Sequence, residues 1–215
     1  MMAQLKEAEM RKIPADFSYK LLPEFSFSGR KINTSISFKG STIQGAAYFE
    51  NCKINGDLNL EEALIYSTLY IAKTTVSGLL NAKRAKVREV VNLVASNFKQ
   101  NIDLDGISVK GFFGLNKVHI KEDININKAI IRDIRTKTGN IRGDLYLREA
   151  RVEGSVNLEE LHAEGLGNFE NSFIANDLNM KNAQFKGVVI LSGTIIEGEV
   201  NAQDMQCENL IAHMT

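Results

Sequence analysis

From about Phe25 onward the apolar residues of this chain fall into columns with a period of 11. Reading from Gly56, successive units are GDLNLEEALIY, STLYIAKTTVS, GLLNAKRAKVR and EVVNLVASNFK. After one unit shortened by a residue around Arg132 to Ile134, the series resumes with GDLYLREARVE and GSVNLEELHAE. The third, fifth, eighth and tenth positions of each unit are apolar or small. The tenth runs from Ile43, Ile54 and Ile65 through Val109, Ile120 and Ile131 to Ile196 and Cys207 without a charged residue. The fifth, from Phe38 and Phe49 through Leu60, Leu93 and Leu104 to Leu191, is nearly as regular. A small residue at three or eight precedes a larger apolar one by two, the alternation expected of short strands with one buried face. A helix would carry neither this alternation nor so frequent a glycine. Each unit is therefore predicted to supply two very short strands.

Glycine opens nine of the units, at Gly45, Gly56, Gly78, Gly111, Gly143, Gly154, Gly165, Gly187 and Gly198, with Asn176 and Asn209 in the same column. The expectation is a corner that uses the positive φ these residues reach easily. An outward Asn or Asp sits between the third and fifth positions, as in Leu58-Asn59-Leu60, Val91-Asn92-Leu93, Ile102-Asp103-Leu104, Val156-Asn157-Leu158 and Leu178-Asn179-Met180. On these triplets the chain resembles the pentapeptide-repeat family, with one extra residue per two pentads. The resemblance implies an all-β fold, a right-handed quadrilateral β-helix whose coil has about 22 residues. It implies about eight coils and a rod of roughly 40 Å at the usual strand spacing.

In such a rod, outward residues one coil apart stack into columns. Asn59, Asn81, Asp103 and Asn125 are expected on one face, and Asn157, Asn179 and Asn201 on the opposite one, as structural ladders bonded amide to amide. Both ends of an open stack need covering. Residues 1–24 are read as an N-terminal cap and residues 25–215 as the β-helix. Ala3 to Lys12 is predicted to form a short amphipathic helix with Leu5, Ala8 and Met10 near one face, stopped before Pro14. Only Asn209 to Thr215 follow the last full unit. The last coil is thus expected to meet another surface, either a second copy or a continuation of the chain.

Composition narrows the chemistry. The chain has 26 basic and 26 acidic residues. Counted along the chain, residues 1–80 hold 9 basic and 8 acidic residues, residues 81–151 hold 15 and 8, and residues 152–215 hold 2 and 10. The rod is therefore basic in the middle and acidic towards its C-terminus. Arg88, Lys99, Lys110, Lys121, Arg132 and Arg142 close six consecutive units, with Lys83, Arg84 and Lys86 beside the first and Arg135, Lys137, Arg148 and Arg151 nearby. They predict two basic stripes, candidates for an anionic partner such as nucleic acid or an anionic membrane. The competing expectation is a solvated edge kept charged against aggregation. Tyr48 and Tyr70 lie well before the stripes, so no aromatic interleaving of the kind that stacks single-stranded bases is expected.

Cys52 and Cys207, the two cysteines, occupy inward positions and read as small core side chains, not as a disulfide or metal pair. His119 and His162 share a face two coils apart, and His213 falls at the end of the rod, so no metal or His-based catalytic pair is expected. Glu61-Glu62 and Glu159-Glu160 sit at outward corners, where carboxylates are ordinarily solvated. No phosphate loop, nucleophile elbow or dinucleotide fingerprint is legible. The chain is accordingly read as a non-enzyme without cofactor or small-molecule substrate, and, lacking a signal peptide or long apolar run, as cytoplasmic. The leading expectation is an interaction scaffold for a protein partner, forming a homodimer through its C-terminal coil. The resemblance adds a DNA-mimicking protein that acts on gyrase or another topoisomerase, for which Glu153, Glu164, Glu197 and Glu208 would supply the charge.

Overall fold

The computed structural model describes residues 1–212. Within one coil the chain passes through strands Leu58–Asn59, Leu64–Ile65, Leu69–Tyr70 and Thr75–Val76 before Leu80–Asn81 pairs back on Leu58–Asn59. Four strands per coil make four faces, named here for their outward residues: asparagine, arginine, tyrosine and histidine, in chain order. The asparagine and tyrosine faces are thus opposite each other, as are the arginine and histidine faces. Every strand pairing is parallel, and the result is the four-sided β-solenoid that the resemblance implied.

It has about nine turns, one more than expected. The additional coil lies at the N-terminus, where Ala15–Asp16 pairs with Ile36–Ser37 and Leu21–Leu22 with Thr42–Ile43, ahead of Phe25. Ala15-Asp16-Phe17 is itself a small–Asp–Phe triplet, set one residue out of the 22-residue step. Its ring stacks on Phe38 with centroids 5.2 Å apart.

Hydrogen bonds run between coils. Leu58 N–H donates to Leu79 O at 2.9 Å, Leu60 N–H to Asn81 O at 2.6 Å, and Glu62 N–H to Lys83 O at 2.8 Å. The inward columns fill the interior so completely that Phe38, Phe49, Leu60, Ile71, Leu93 and Phe98 have no solvent exposure. At the eighth position, hydroxyls replace hydrocarbon without loss. The Thr74 hydroxyl donates to Phe49 O, and the Ser96 hydroxyl donates to Ile71 O at 2.7 Å while its oxygen accepts from Thr74 N–H at 3.0 Å. Cys52 continues this column, its thiol donating to Phe27 O at 3.0 Å.

The glycine column does not work as expected. Positive φ falls instead on the seventh position of the units, usually not glycine: Asn51, Glu62, Lys73, Arg84 and Ala95 all lie between 52° and 57°. These residues are third in tight turns closed by bonds such as Ala63 N–H to Leu60 O at 3.0 Å. Asparagine one position before the turn supports it, Asn59 Oδ1 accepting Glu61 N–H at 3.0 Å and Asn81 Oδ1 accepting Lys83 N–H at 3.1 Å. Glycine is needed for close approach. A Cβ on Gly78 would lie 2.7 Å from the carbonyl carbon of Gly56 and on top of Asp57 Oδ1, which accepts Leu79 N–H at 2.8 Å. Gly143, Gly154 and Gly198 meet the preceding corner at 2.6–2.7 Å in the same way. Aspartate at the second position of one unit and the glycine that opens the unit one coil later are thus one device: the aspartate bonds the next corner's amide, and the glycine admits it.

The cap helix α1 (Met2–Arg11) buries Leu5 and Ala8 against the first coil and ends on Lys12 in the left-handed conformation. Met10, expected on that face, is 84% exposed. Five residues after Leu5, it lies about 140° around the helix from it. Gln4 Nε2 donates to Asp16 O at 2.5 Å and Asn33 N–H donates to Glu9 Oε1 at 2.7 Å, so polar ties also hold α1 to the coil.

These two uses of backbone geometry predict opposite outcomes for two small substitutions. Gly78→Ala should cost about 2–3 kcal/mol, because it loses the Asp57 bond and separates two corners. Ala95→Gly, at an exposed left-handed site, should gain up to about 1 kcal/mol. Urea unfolding of both variants checks the pair.

Candidate interaction surfaces

The register divides the six basic residues of the predicted stripes into two columns on opposite edges of the rod. Val87 pairs Val109 and Val109 pairs Ile131, which stacks Arg88, Lys110 and Arg132 on the arginine face. Phe98 pairs Ile120 and Ile120 pairs Ile141, which stacks Lys99, Lys121 and Arg142 on the histidine face. All six are exposed, and among the described residues none forms an ion pair.

Their expected neighbours behave differently. Lys83 and Arg84 turn to the asparagine side, where Lys83 pairs with Asp103 at 2.8 Å and Arg84 with Glu61 and Glu62 at 2.6 and 2.9 Å. Hydrogen bonding to Lys39 holds the Glu61 carboxyl below its usual range, and bonding to Asp103 raises the Lys83 ammonium. Arg135, Lys137 and Arg148 also have carboxylate partners, in Asp133, Glu159 and Glu170.

Aromatic residues do accompany the cations, though no interleaving was expected from the sequence. Arg88 lies over the Tyr66 ring at 4.0 Å, Arg135 over Phe112 at 4.8 Å and Arg151 over Phe173 at 4.5 Å. Tyr66 and Phe173 are each one 22-residue coil from their arginine, so the pairs touch although they lie far apart in the chain. Only the coil length could have revealed them.

The acidic residues expected to imitate DNA are split between the same two columns. Ala175 separates Glu153 from Glu197, and Lys186 separates Glu164 from Glu208 and lies 3.7 Å from Glu164. The asparagine ladders occupy the expected opposite faces, Asn59, Asn81 and Asn125 on one and Asn157, Asn179 and Asn201 on the other. Direct side-chain bonds join Asn125 to Asp103 and Asn179 to Asn157, each at 3.3 Å. The more regular service of these side chains is the turn described above.

His162 Nδ1 lies 3.1 Å from Gln184 Oε1, and Asn140 separates it from His119; His213 is outside the described residues. Among the described residues, no group of three or more His, Cys, Asp or Glu side chains is placed to hold a metal, and no helix is long and apolar enough to cross a membrane. A shallow groove of about 320 Å³ crosses the asparagine face between Asp103, Asp123, Asn125 and Tyr146. Tyr146 donates its hydroxyl to Asp144 Oδ2 at 2.6 Å, which pushes its pKa up to about 12.

No family model matches the chain, and no curated protein matches it. Among solved structures, HetL, a pentapeptide repeat protein involved in heterocyst differentiation regulation from the cyanobacterium Nostoc, aligns over 94% of this chain and 92% of its own, at 11% identity and a TM-score of 0.23. The fold assignment rests on the strand register itself.

Two measurements follow. In alkaline ultraviolet titration Tyr146 should ionise near pH 12. Because its folded pKa lies above the unfolded value of about 10, its stabilising contribution is complete below pH 10 and lost as pH rises towards 12. A thiol reagent should leave Cys52 unmodified until the protein unfolds, since burial raises its pKa and its thiol is bonded inside the column, whereas partly exposed Cys207 should react in the folded monomer.

Proposed function

We propose that the chain is a non-catalytic interaction scaffold that self-associates through its C-terminal coil. The observation that carries this reading is the contrast between the two ends. At the N-terminus α1 covers the stack, and Leu5 and Ala8 are buried. On the last described coil, Val200 and Leu210 occupy inward positions but are 49% and 45% exposed, and Met205 and Cys207 are only partly covered. Outward Ile195 extends the apolar area at 56% exposure. A second copy offers a matching apolar surface and strand edges with the same spacing.

Acidic residues rim this end: Glu197, Glu199, Asp204 and Glu208. Two copies meeting there bring like charges together, so screening should favour association even as the contact itself is apolar. Light scattering should give a dimer mass whose fraction rises with salt, and a monomer for Val200→Lys combined with Leu210→Lys. A monomeric mass for the unaltered protein at every salt concentration would overturn the self-association.

A further inference from the structure

We propose that the middle of the arginine face binds the phosphate backbone of a nucleic-acid duplex laid across the rod, independently of the C-terminal contact. The motivation is a set of cations with no carboxylate partner among the described residues, on one face. The register aligns Lys86 with Ser108, Ile130 and Arg151 in one outward column, beside the column of Arg88, Lys110 and Arg132. Lys86, Arg88, Lys110, Arg132 and Arg151 are exposed.

Most strands span two residues, but Ser108–Gly114 and Ile130–Lys137 continue through the corner between the arginine and tyrosine faces, with a shift of register between Val109 and Phe112. Arg132, Arg135 and Lys137 are exposed positions of the second of these strands, so the cations continue from the arginine face onto the tyrosine face. A groove of about 410 Å³ lies beside these strands, where Arg88, Lys110, Arg132 and Arg135 outnumber the carboxylates of Glu89 and Asp133.

Aromatic support makes the arginines suited to phosphate. Arg88 and Arg151 rest on Tyr66 and Phe173, and Arg135 rests on Phe112 while also paired with Asp133, so less side-chain freedom is lost when the arginines bind. The same stacking occupies the rings. They are not available to stack unpaired bases, the usual contact of single-strand binders. Recognition through phosphates alone, indifferent to sequence, is what remains.

Charge along the rod selects the orientation and the partner. Four basic coils span about 14 Å. The fourth of them already carries Glu153 beside Arg151, the outer column goes on to Glu197, and the neighbouring face carries Asp177 and Glu199. A flat anionic membrane resting on this face would meet all of those carboxylates, whereas a duplex crossing the rod over Arg88, Lys110 and Arg132 avoids Asp177, Glu197 and Glu199.

The test is fluorescence anisotropy of a labelled duplex of about 20 base pairs at about 50 and about 200 mM salt. Arg88→Glu, Lys110→Glu and Arg132→Glu are combined in one variant. Lys99→Glu, Lys121→Glu and Arg142→Glu are combined in another, which makes the same charge change on the opposite edge. With four phosphate contacts, binding of the unaltered protein should weaken on the order of a hundredfold between the two salt concentrations. The arginine-face variant should lose at least about tenfold at the lower salt and reduce the salt slope by about 2–3, while the histidine-face variant stays within about threefold. Far-UV circular dichroism confirms that each variant is folded, and Arg88→Gln with Arg132→Gln replaces the first if it is not. No binding at the lower salt, equal losses from both variants, or binding to phosphatidylserine vesicles but not to the duplex would each overturn the proposal.

Discussion

Everything in this molecule depends on parallel coils stacked at fixed register. Because hydrogen bonds join one coil to the next, the environment of a residue is set chiefly by those about 22 positions before and after it. Local propensity has little influence over strands of two residues. What the sequence must supply instead is the same kind of residue at the same place in every coil: a core side chain, a turn, and a corner small enough for the next to approach.

That constraint turns a sequence repeat into columns of charge, and the columns differ. On the asparagine face, Lys39, Glu61, Lys83 and Asp105 follow one another with alternating sign, and Lys39 pairs with Glu61 at 2.9 Å. Such alternation is what stability alone favours, since like charges directly opposite across neighbouring strands repel. Arg88, Lys110 and Arg132 depart from it, as do Lys99, Lys121 and Arg142. On the arginine face the repulsion is partly offset where Arg88 rests on Tyr66. No ring is stacked with the three on the histidine face among the described residues, and this difference distinguishes two stripes that look equivalent in the sequence.

The repeat was legible because inward columns tolerate only apolar or small residues, so Ile43 to Cys207 could be aligned without a structure. The first coil was missed because Ala15 lies 21 residues before Ile36, outside the 22-residue step, and lacks a leading glycine. The glycine column was found but misread. Sequence shows that a residue must be small, and only the stacked corners show whether it serves torsion or space: Gly78 is crowded by Gly56 and Asp57, whereas Ala95 and Glu62 take the positive φ themselves. Of the candidate site, the six cations and their division into two stripes were legible, because both follow from the repeat and the coil length. The withdrawal of Lys83 and Arg84 into ion pairs and the arginine–ring contacts are side-chain choices that no periodicity encodes.

The shortened unit around Arg132 to Ile134 connects the irregularity of the repeat with the irregularity of the surface. Removing one residue from a coil puts every later residue out of step unless the loss is absorbed locally. Here the register shifts between Val109 and Phe112, within the long strands Ser108–Gly114 and Ile130–Lys137, and regular pairing has returned by Leu145 against Ile124. Ile131 and Ile134 stand three residues apart where their partners Val109 and Phe113 stand four apart, so the loss is taken up inside these two continuous strands. Arg132 and Arg135 flank that step, and Arg135 lies over Phe112 of the neighbouring strand. The missing residue and this stretch of basic surface are therefore a single feature, visible in the sequence as a break in period and in the structure as the place where two strands continue through a corner.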